Sequence, residues 1–266
     1  MTQRLRSTLE WVLVDTHLWV ATAAASLTVF AAAAVGAPVQ LPPLGVVFSS
    51  TLLIYAVDDI FDGRMRSQPV RWLAVGSGAL SLLVQLLWAP RLVVIVVIVG
   101  ALPGLLYGVR ICGRRLRELP GVKPFFVAGS LAVAVVAVPV LWGRPMAAPS
   151  PGLARMAIAI GSLFLLVLSN VCFFDLRDRA ADARAGVRTI PVRLGVVGTR
   201  RFCLTLSLAV GLATPFVGDD LRGPLLMAVL ATAAYTALLP APGGRLQYAL
   251  AVDGVPVLLG LSVLAL

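Results

Sequence analysis

Two short runs of the chain hold half of its 12 acidic residues: Asp58-Asp59-Ile60-Phe61-Asp62 and Asp175-Leu176-Arg177-Asp178-Arg179-Ala180-Ala181-Asp182. Each run follows a long apolar stretch. Carboxylates are costly beside hydrocarbon, so acids concentrated there point to function. On a helix, Asp59 and Asp62 are three residues apart, and Asp175, Asp178 and Asp182 fall at i, i+3 and i+7, so each set lies along one face. Hard anionic oxygens in that arrangement suit Mg²⁺, which takes one or two carboxylates and completes its shell with phosphate oxygens and water. The expected metal ligands are therefore Asp58, Asp59, Asp62, Asp175, Asp178 and Asp182, and the expected chemistry is that of a diphosphate handled at a membrane surface.

The elements that must position these acids are membrane spans. Of 266 residues, 59% are hydrophobic and 13% charged, with a mean hydropathy of +0.96, a composition that a soluble domain could not solvate. Charge-free windows recur at 18–35, 41–57, 72–90, 92–109, 124–143, 156–174, 202–218 and 223–244. A ninth, 246–266, fits once Asp253 is tolerated. Each is near the ~17–25 residues that cross a bilayer core. Nine transmembrane helices in one integral membrane domain, 1–266, are expected. Barrel strands would be shorter and alternate in polarity.

The formal charge of +10 could suggest nucleic acid, but its placement argues for membrane topology instead. With the N-terminus cytoplasmic, only Arg91, Arg144, Arg155 and Arg222 among the 22 basic residues fall outside, a strong positive-inside bias. Both aspartate runs then face the cytoplasm, and the C-terminus lies outside. The inside connections, about 58–71, 107–123 and 175–201, are the long polar ones, where function concentrates. Asp59-x-x-Asp62 follows the second predicted span and Asp175-x-x-Asp178 the sixth, which implies two four-helix halves plus a final helix around a central cavity. Superposing the halves sets Arg66 opposite Asp182. His17, the single histidine, is expected to form a bond between helices, as is Asn170. Asp15 and Asp253 either line the same cavity or pair with arginines. Cys112, Cys172 and Cys203 lie near predicted cytoplasmic helix ends, lack metal-site spacing and are expected to be free thiols.

The two runs and their order along the chain resemble the UbiA family of intramembrane prenyltransferases. The family's first motif reads Asn-Asp-x-x-Asp-x-x-x-Asp. Asp58 takes the Asn slot, Asp59 and Asp62 match, and Arg66 replaces the last Asp. The second, Asp-x-x-Asp-x-x-x-Asp, is complete in Asp175, Asp178 and Asp182. The run from Gly186 through Arg188, Thr189 and Arg193 to Gly195 is similar to the family's continuation. A family Tyr-x-x-x-Lys after the fourth helix is half kept: Tyr107 is present, and Ile111 holds the Lys slot. The chain is thus similar to a divergent member.

The resemblance implies an enzyme of the cytoplasmic membrane that takes an isoprenyl diphosphate, uses Mg²⁺, and transfers the prenyl group to an aromatic, tetrapyrrole or lipid-like acceptor. Asp59, Asp62, Asp175 and Asp178 would be catalytic. Tyr107, Arg66, Arg110, Arg114, Arg115 and Lys123 would contact the diphosphate. The partners would be that substrate pair and membrane lipid, with no nucleic acid. A terpene cyclase acting on the diphosphate alone is the alternative. A secondary transporter would place its acids near the bilayer midplane, whereas these sit at helix ends. A non-catalytic homologue is favoured only by Arg66.

Overall fold

The computed structural model describes residues 3–61, 69–108, 110–111, 114–115, 121–143, 153–184, 186–241 and 243–266. The side chains of residues 3–4, 61, 69–71 and 101–108 and of the 110–115 hairpin fall outside that description. The chain is almost wholly helical: α1 (Gln3–Leu9), α2 (Leu18–Ala34), α3 (Leu41–Phe61), α4 (Pro69–Trp88), α5 (Arg91–Gly108), α6 (Val122–Gly143), α7 (Leu153–Arg184), α8 (Ile190–Ala213), α9 (Asp219–Leu238), α10 (Arg245–Tyr248) and α11 (Gly254–Leu264). A small antiparallel hairpin, β1 (Arg110–Ile111) with β2 (Arg114–Arg115), stands between α5 and α6. Two π-helical turns, Glu10–Asp15 and Ala249–Asp253, interrupt the first and last apolar segments.

Among the described residues, six helices are long and apolar enough to cross a membrane: α3, α6, α7, α8, α9 and the run Arg245–Leu264. A bent pair, Leu5–Asp15 with Leu18–Ala34, passes the same test at a break of 56°. The helices pack in sequence, α2 on α3, α3 on α5, α5 on α6, α6 on α7, α7 on α8, α8 on α9, α9 on α11, and α11 back on α2, with α2 also packing on α6 and α7 across this circuit and α4 against α3. Large side chains such as Leu80, Leu87, Leu92, Leu208 and Leu230 point outward, as expected where the solvent is lipid.

Several helices outrun the charge-free windows. α7 continues past the window 156–174 through all three aspartates to Arg184, because Ala180, Ala181 and Ala183 are strong helix formers that keep the charged turns helical. Its 32 residues rise about 48 Å, well beyond a hydrocarbon core of roughly 30 Å. α8 starts at Ile190, with Pro191 in its first turn, and so carries Arg193, Arg200 and Arg201. Arg200 donates through Nη1 to the Ala237 carbonyl at 2.8 Å and through Nη2 to that of Leu239 at 2.5 Å, capping the C-terminus of α9 with positive charge.

Without water between helices, association rests on close packing. α2 buries Ala21, Ala23, Ala24, Ala31, Ala32 and Ala34, and its hydroxyls bond back within the helix, as with Thr22 to the Leu18 carbonyl and Ser26 to that of Thr22. Among the described glycines the tightest approach is at Gly260, where a Cβ would meet the Ser26 carbonyl oxygen at 2.6 Å and its Cα at 2.9 Å. Gly260→Leu is expected to force α2 and α11 apart and cost about 1–3 kcal/mol, read as a lowered melting temperature in detergent. An unchanged melting temperature would show that this contact does not set the helix spacing.

Candidate functional site

α7 places Asp175 22 residues after its first residue, about 33 Å along the axis. α3 places Asp59 18 residues after Leu41, about 27 Å. Asp59 thus lies in the last turn of α3, and Asp175 past the midpoint of α7.

Asp175 is the most enclosed acid of the second run, 2% exposed. Lys123 Nζ donates to its Oδ1 at 2.7 Å, while the buried Oδ2 has no partner among the described residues. Lys123 stands in the first turn of α6, next to Gly121 at φ +75°. A cation at a helix N-terminus opposes the helix dipole, so the contact that holds it there is tertiary. Asp178 is exposed and receives two bonds from Arg177, from Nε at 3.0 Å and Nη2 at 2.8 Å. Among the described residues, the alternating signs of this run form a local ion pair at Asp178. Asp182 is half-buried and, with Asp178, lies within electrostatic reach of Lys123.

On α3, Asp59 is buried and Asp58 half-buried, as consecutive helix positions about 100° apart require. Asp59 Oδ2 accepts from His17 Nε2 at 2.9 Å. Tyr55 lies one turn before Asp59. Its ring centroid is 5.6 Å from that of His17, and its phenol interacts electrostatically with Asp58, Asp175 and Asp253. Tyr55 is thus within electrostatic reach of an acid from each run. Tyr55 was not singled out in the sequence, although its i, i+4 spacing from Asp59 was a readable signal.

The polar groups beneath and beside the acids hold the frame. Asn170, five residues before Asp175, donates to the Val252 carbonyl at 3.1 Å and accepts from Tyr235 Oη at 2.6 Å, which is the expected bonding between helices. It also borders an apolar crevice lined by Leu27, Leu166, Val167, Val255, Pro256 and Leu259. Asp15 pairs with Arg245 at 2.8 Å. Phe173 packs edge-on against Tyr235 and stacks on Tyr248. Cys172 and Cys203 are free and buried, deeper than their position near helix ends implied.

Asp62, Arg66 and Cys112 lie outside the described residues. Tyr107 falls in the last turn of α5, and Arg110, Arg114 and Arg115 in the hairpin that follows, so the backbone brings these four into one short segment leading to Lys123. Among the described residues no three acids form a ready-made metal cage. The donor set nevertheless fits Mg²⁺: a buried carboxylate oxygen without a partner calls for a cation, and Mg²⁺ needs few protein carboxylates when phosphate supplies the remainder.

The structure is thus a bundle of apolar helices that carries one aspartate run at the end of α3 and another along α7. The model of the UbiA prenyltransferase family matches residues 58–249, and the chain belongs to that family. No curated protein matches the sequence. Among solved structures, it is similar to the apo form of a UbiA homologue from Aeropyrum pernix K1, with a TM-score of 0.71 and 14% identity over 92% of this chain and 97% of that one. A digeranylgeranylglyceryl phosphate synthase gives a TM-score of 0.59 at 15% identity, over 99% and 98% of the two chains. A UbiA homologue from Archaeoglobus fulgidus bound to GPP and Mg²⁺ gives 0.59 at 14%, over 93% and 96%. At such identities the likeness is one of fold.

Proposed function

We propose that this protein is a Mg²⁺-dependent prenyltransferase that ionises an isoprenyl diphosphate and passes the prenyl group to an aromatic, tetrapyrrole or lipid-like acceptor. The observation that carries the proposal is the buried Oδ2 of Asp175, unpartnered among the described residues, beside Lys123, with Tyr55 within electrostatic reach of both Asp58 and Asp175. Asp59 and Asp175, with Asp58, Asp62, Asp178 and Asp182, would hold the metal. When bound, Mg²⁺ would neutralise the diphosphate and stabilise it as a leaving group. Lys123 Nζ would bring a second positive charge to the same oxygens. Arg66, Arg110, Arg114, Arg115 and Tyr107 would close on the diphosphate from the connecting segments. The hydrocarbon side of the bundle would take the prenyl tail and keep water from the cation formed when the diphosphate leaves.

The same proposal takes residues 1–266 as one integral domain of the cytoplasmic membrane. Its nine spans would be the six long helices, the bent N-terminal pair, α4 and α5. The N-terminus and the site would be cytoplasmic and the C-terminus outside, as the basic residues favour.

Purified protein in lipid, given geranyl, farnesyl or geranylgeranyl diphosphate with Mg²⁺, is expected to release pyrophosphate in the presence of a suitable acceptor and to stop when EDTA is added. Release with no acceptor, together with a cyclic hydrocarbon product, would replace the transferase by a cyclase. No release with any acceptor class would sink both.

A further inference from the structure

We infer that His17 is a positioning residue for the reaction, holding the Asp59 carboxylate in the orientation that receives the metal–diphosphate. The inference rests on the proposed function. It goes beyond it by assigning a role to the break in the first span.

The backbone supplies the first observation. Among the described residues, His17 is the single non-glycine residue with positive φ, at φ 61° and ψ 10°. The π-helical turn Glu10–Asp15 ends just before it, and α2 starts just after it, bent by 56° from the preceding segment. Left-handed backbone is uncommon outside glycine, with Asn, Asp and His the better-tolerated exceptions. π-helical turns also gather at functional sites. A bend alone would be made most easily by glycine or asparagine.

The side chain supplies the second. Nε2–H donates to Asp59 Oδ2 at 2.9 Å, with His17 18% and Asp59 7% exposed at the side chain. The Tyr55 ring lies tilted against the imidazole. The histidine is fastened from both sides in sequence. Two residues earlier, Asp15 is paired with Arg245. Two residues later, Trp19 Nε1 donates to the Ala249 carbonyl at 2.8 Å. Both anchors lie in the last membrane segment, so the imidazole is held on a frame that the first and last segments build together. Donors of this kind, fixed behind a metal-binding carboxylate, lock its rotamer, and their loss typically weakens metal binding by about 10–100-fold.

Backbone and side-chain roles make opposite demands on position 17. Asparagine and glycine suit the left-handed backbone but cannot place a donor where Nε2 is. Glutamine suits the backbone less well but carries an amide Nε2 at nearly the right reach. The test compares His17→Gln, His17→Asn and His17→Gly in lipid nanodiscs. Mn²⁺ binding is read by the loss of its free-ion EPR signal, and the Mg²⁺ dependence of pyrophosphate release is measured alongside. Glutamine is expected to stay within severalfold of the parent, and asparagine and glycine to bind Mn²⁺ about 10–100-fold more weakly, even where their melting temperatures are unchanged. The reverse order, or three variants that melt lower but bind Mn²⁺ as the parent does, would overturn the inference.

Asp59→Asn provides a check that does not depend on any His17 variant folding perfectly. If His17 acts through Asp59, adding His17→Asn to Asp59→Asn has no further effect on Mn²⁺ binding, and additive losses would overturn the inference. Asp175→Asn separates the two proposals. If it leaves Mn²⁺ binding and turnover intact, the magnesium reading itself fails. If it abolishes both while the His17 series runs in reverse, only the role of His17 falls.

Discussion

Asp175→Asn is expected to lower turnover by roughly 10³-fold or more while the protein still inserts and folds, because metal-assisted charge stabilisation is worth several kcal/mol and each 1.36 kcal/mol is tenfold in rate. The substitution is nearly isosteric. It keeps an acceptor for Lys123 Nζ, now 2.7 Å from Oδ1, and converts the unpartnered Oδ2 into an amide group that cannot bind a cation. Asp178→Asn tests a different position. Asp178 is exposed and shares its charge with Arg177, so it can turn outward or release Arg177 when a diphosphate arrives. Its loss is therefore expected to be the smaller of the two. Pyrophosphate release at saturating Mg²⁺, with the melting temperature as a control for folding, checks both. Equal activity in parent and Asp175→Asn would remove Asp175 from the metal site.

The apolar windows marked where the long helices lie, and the two aspartate runs marked the candidate site, because both signals are local: a span needs length and a face needs spacing. Helix ends were less legible. Charges at Asp178 and Asp182 interrupted the apolar count, yet the helical backbone of α7 runs through both, since the membrane surface solvates charge that its core would not; α8 carries Arg193 and Arg200 with a kink between them at Gly195, at φ 69° and ψ −177°. Partner choice was illegible for another reason. Lys123 follows a run of arginines, and nothing in that spacing says that it, among them, reaches 52 positions along the chain to Asp175. His17 was legible as a polar residue needing a partner. That its partner is Asp59 depends on a backbone break that no periodicity marks. The i, i+3, i+7 pattern on α7 suggests one face, but not that Asp175 is buried, Asp178 exposed and Asp182 half-buried along it.

Lys123→Met is expected to be among the most destabilising single changes in the chain, and it separates the ion pair's structural role from its chemical one. Asp175 is 3% exposed at its side chain and Lys123 39%. Removing the ammonium leaves an enclosed carboxylate without its hydrogen-bonded counter-charge, with only the more distant Arg177 to offset it. Breaking a fully buried pair costs about 3–5 kcal/mol, and the partly open Lys123 side brings the expectation toward the lower end. The double variant Lys123→Met with Asp175→Asn removes both charges and is expected to melt higher than Lys123→Met alone. That sign is possible only if the loss comes from the stranded carboxylate rather than from lost packing of the lysine stem. A ligand that binds only the folded state raises its stability in proportion to RT ln(1 + [L]/Kd). Mg²⁺ with pyrophosphate should therefore restore more of the melting temperature in Lys123→Met than it adds to the parent, because the metal can supply the missing positive charge at Asp175. Thermal melts of the four proteins with and without Mg²⁺ and pyrophosphate check this. If the double variant melts no higher than Lys123→Met, the Lys123–Asp175 contact does not carry the stability assigned to it. If Mg²⁺ rescues all four equally, Asp175 is not where the cation acts.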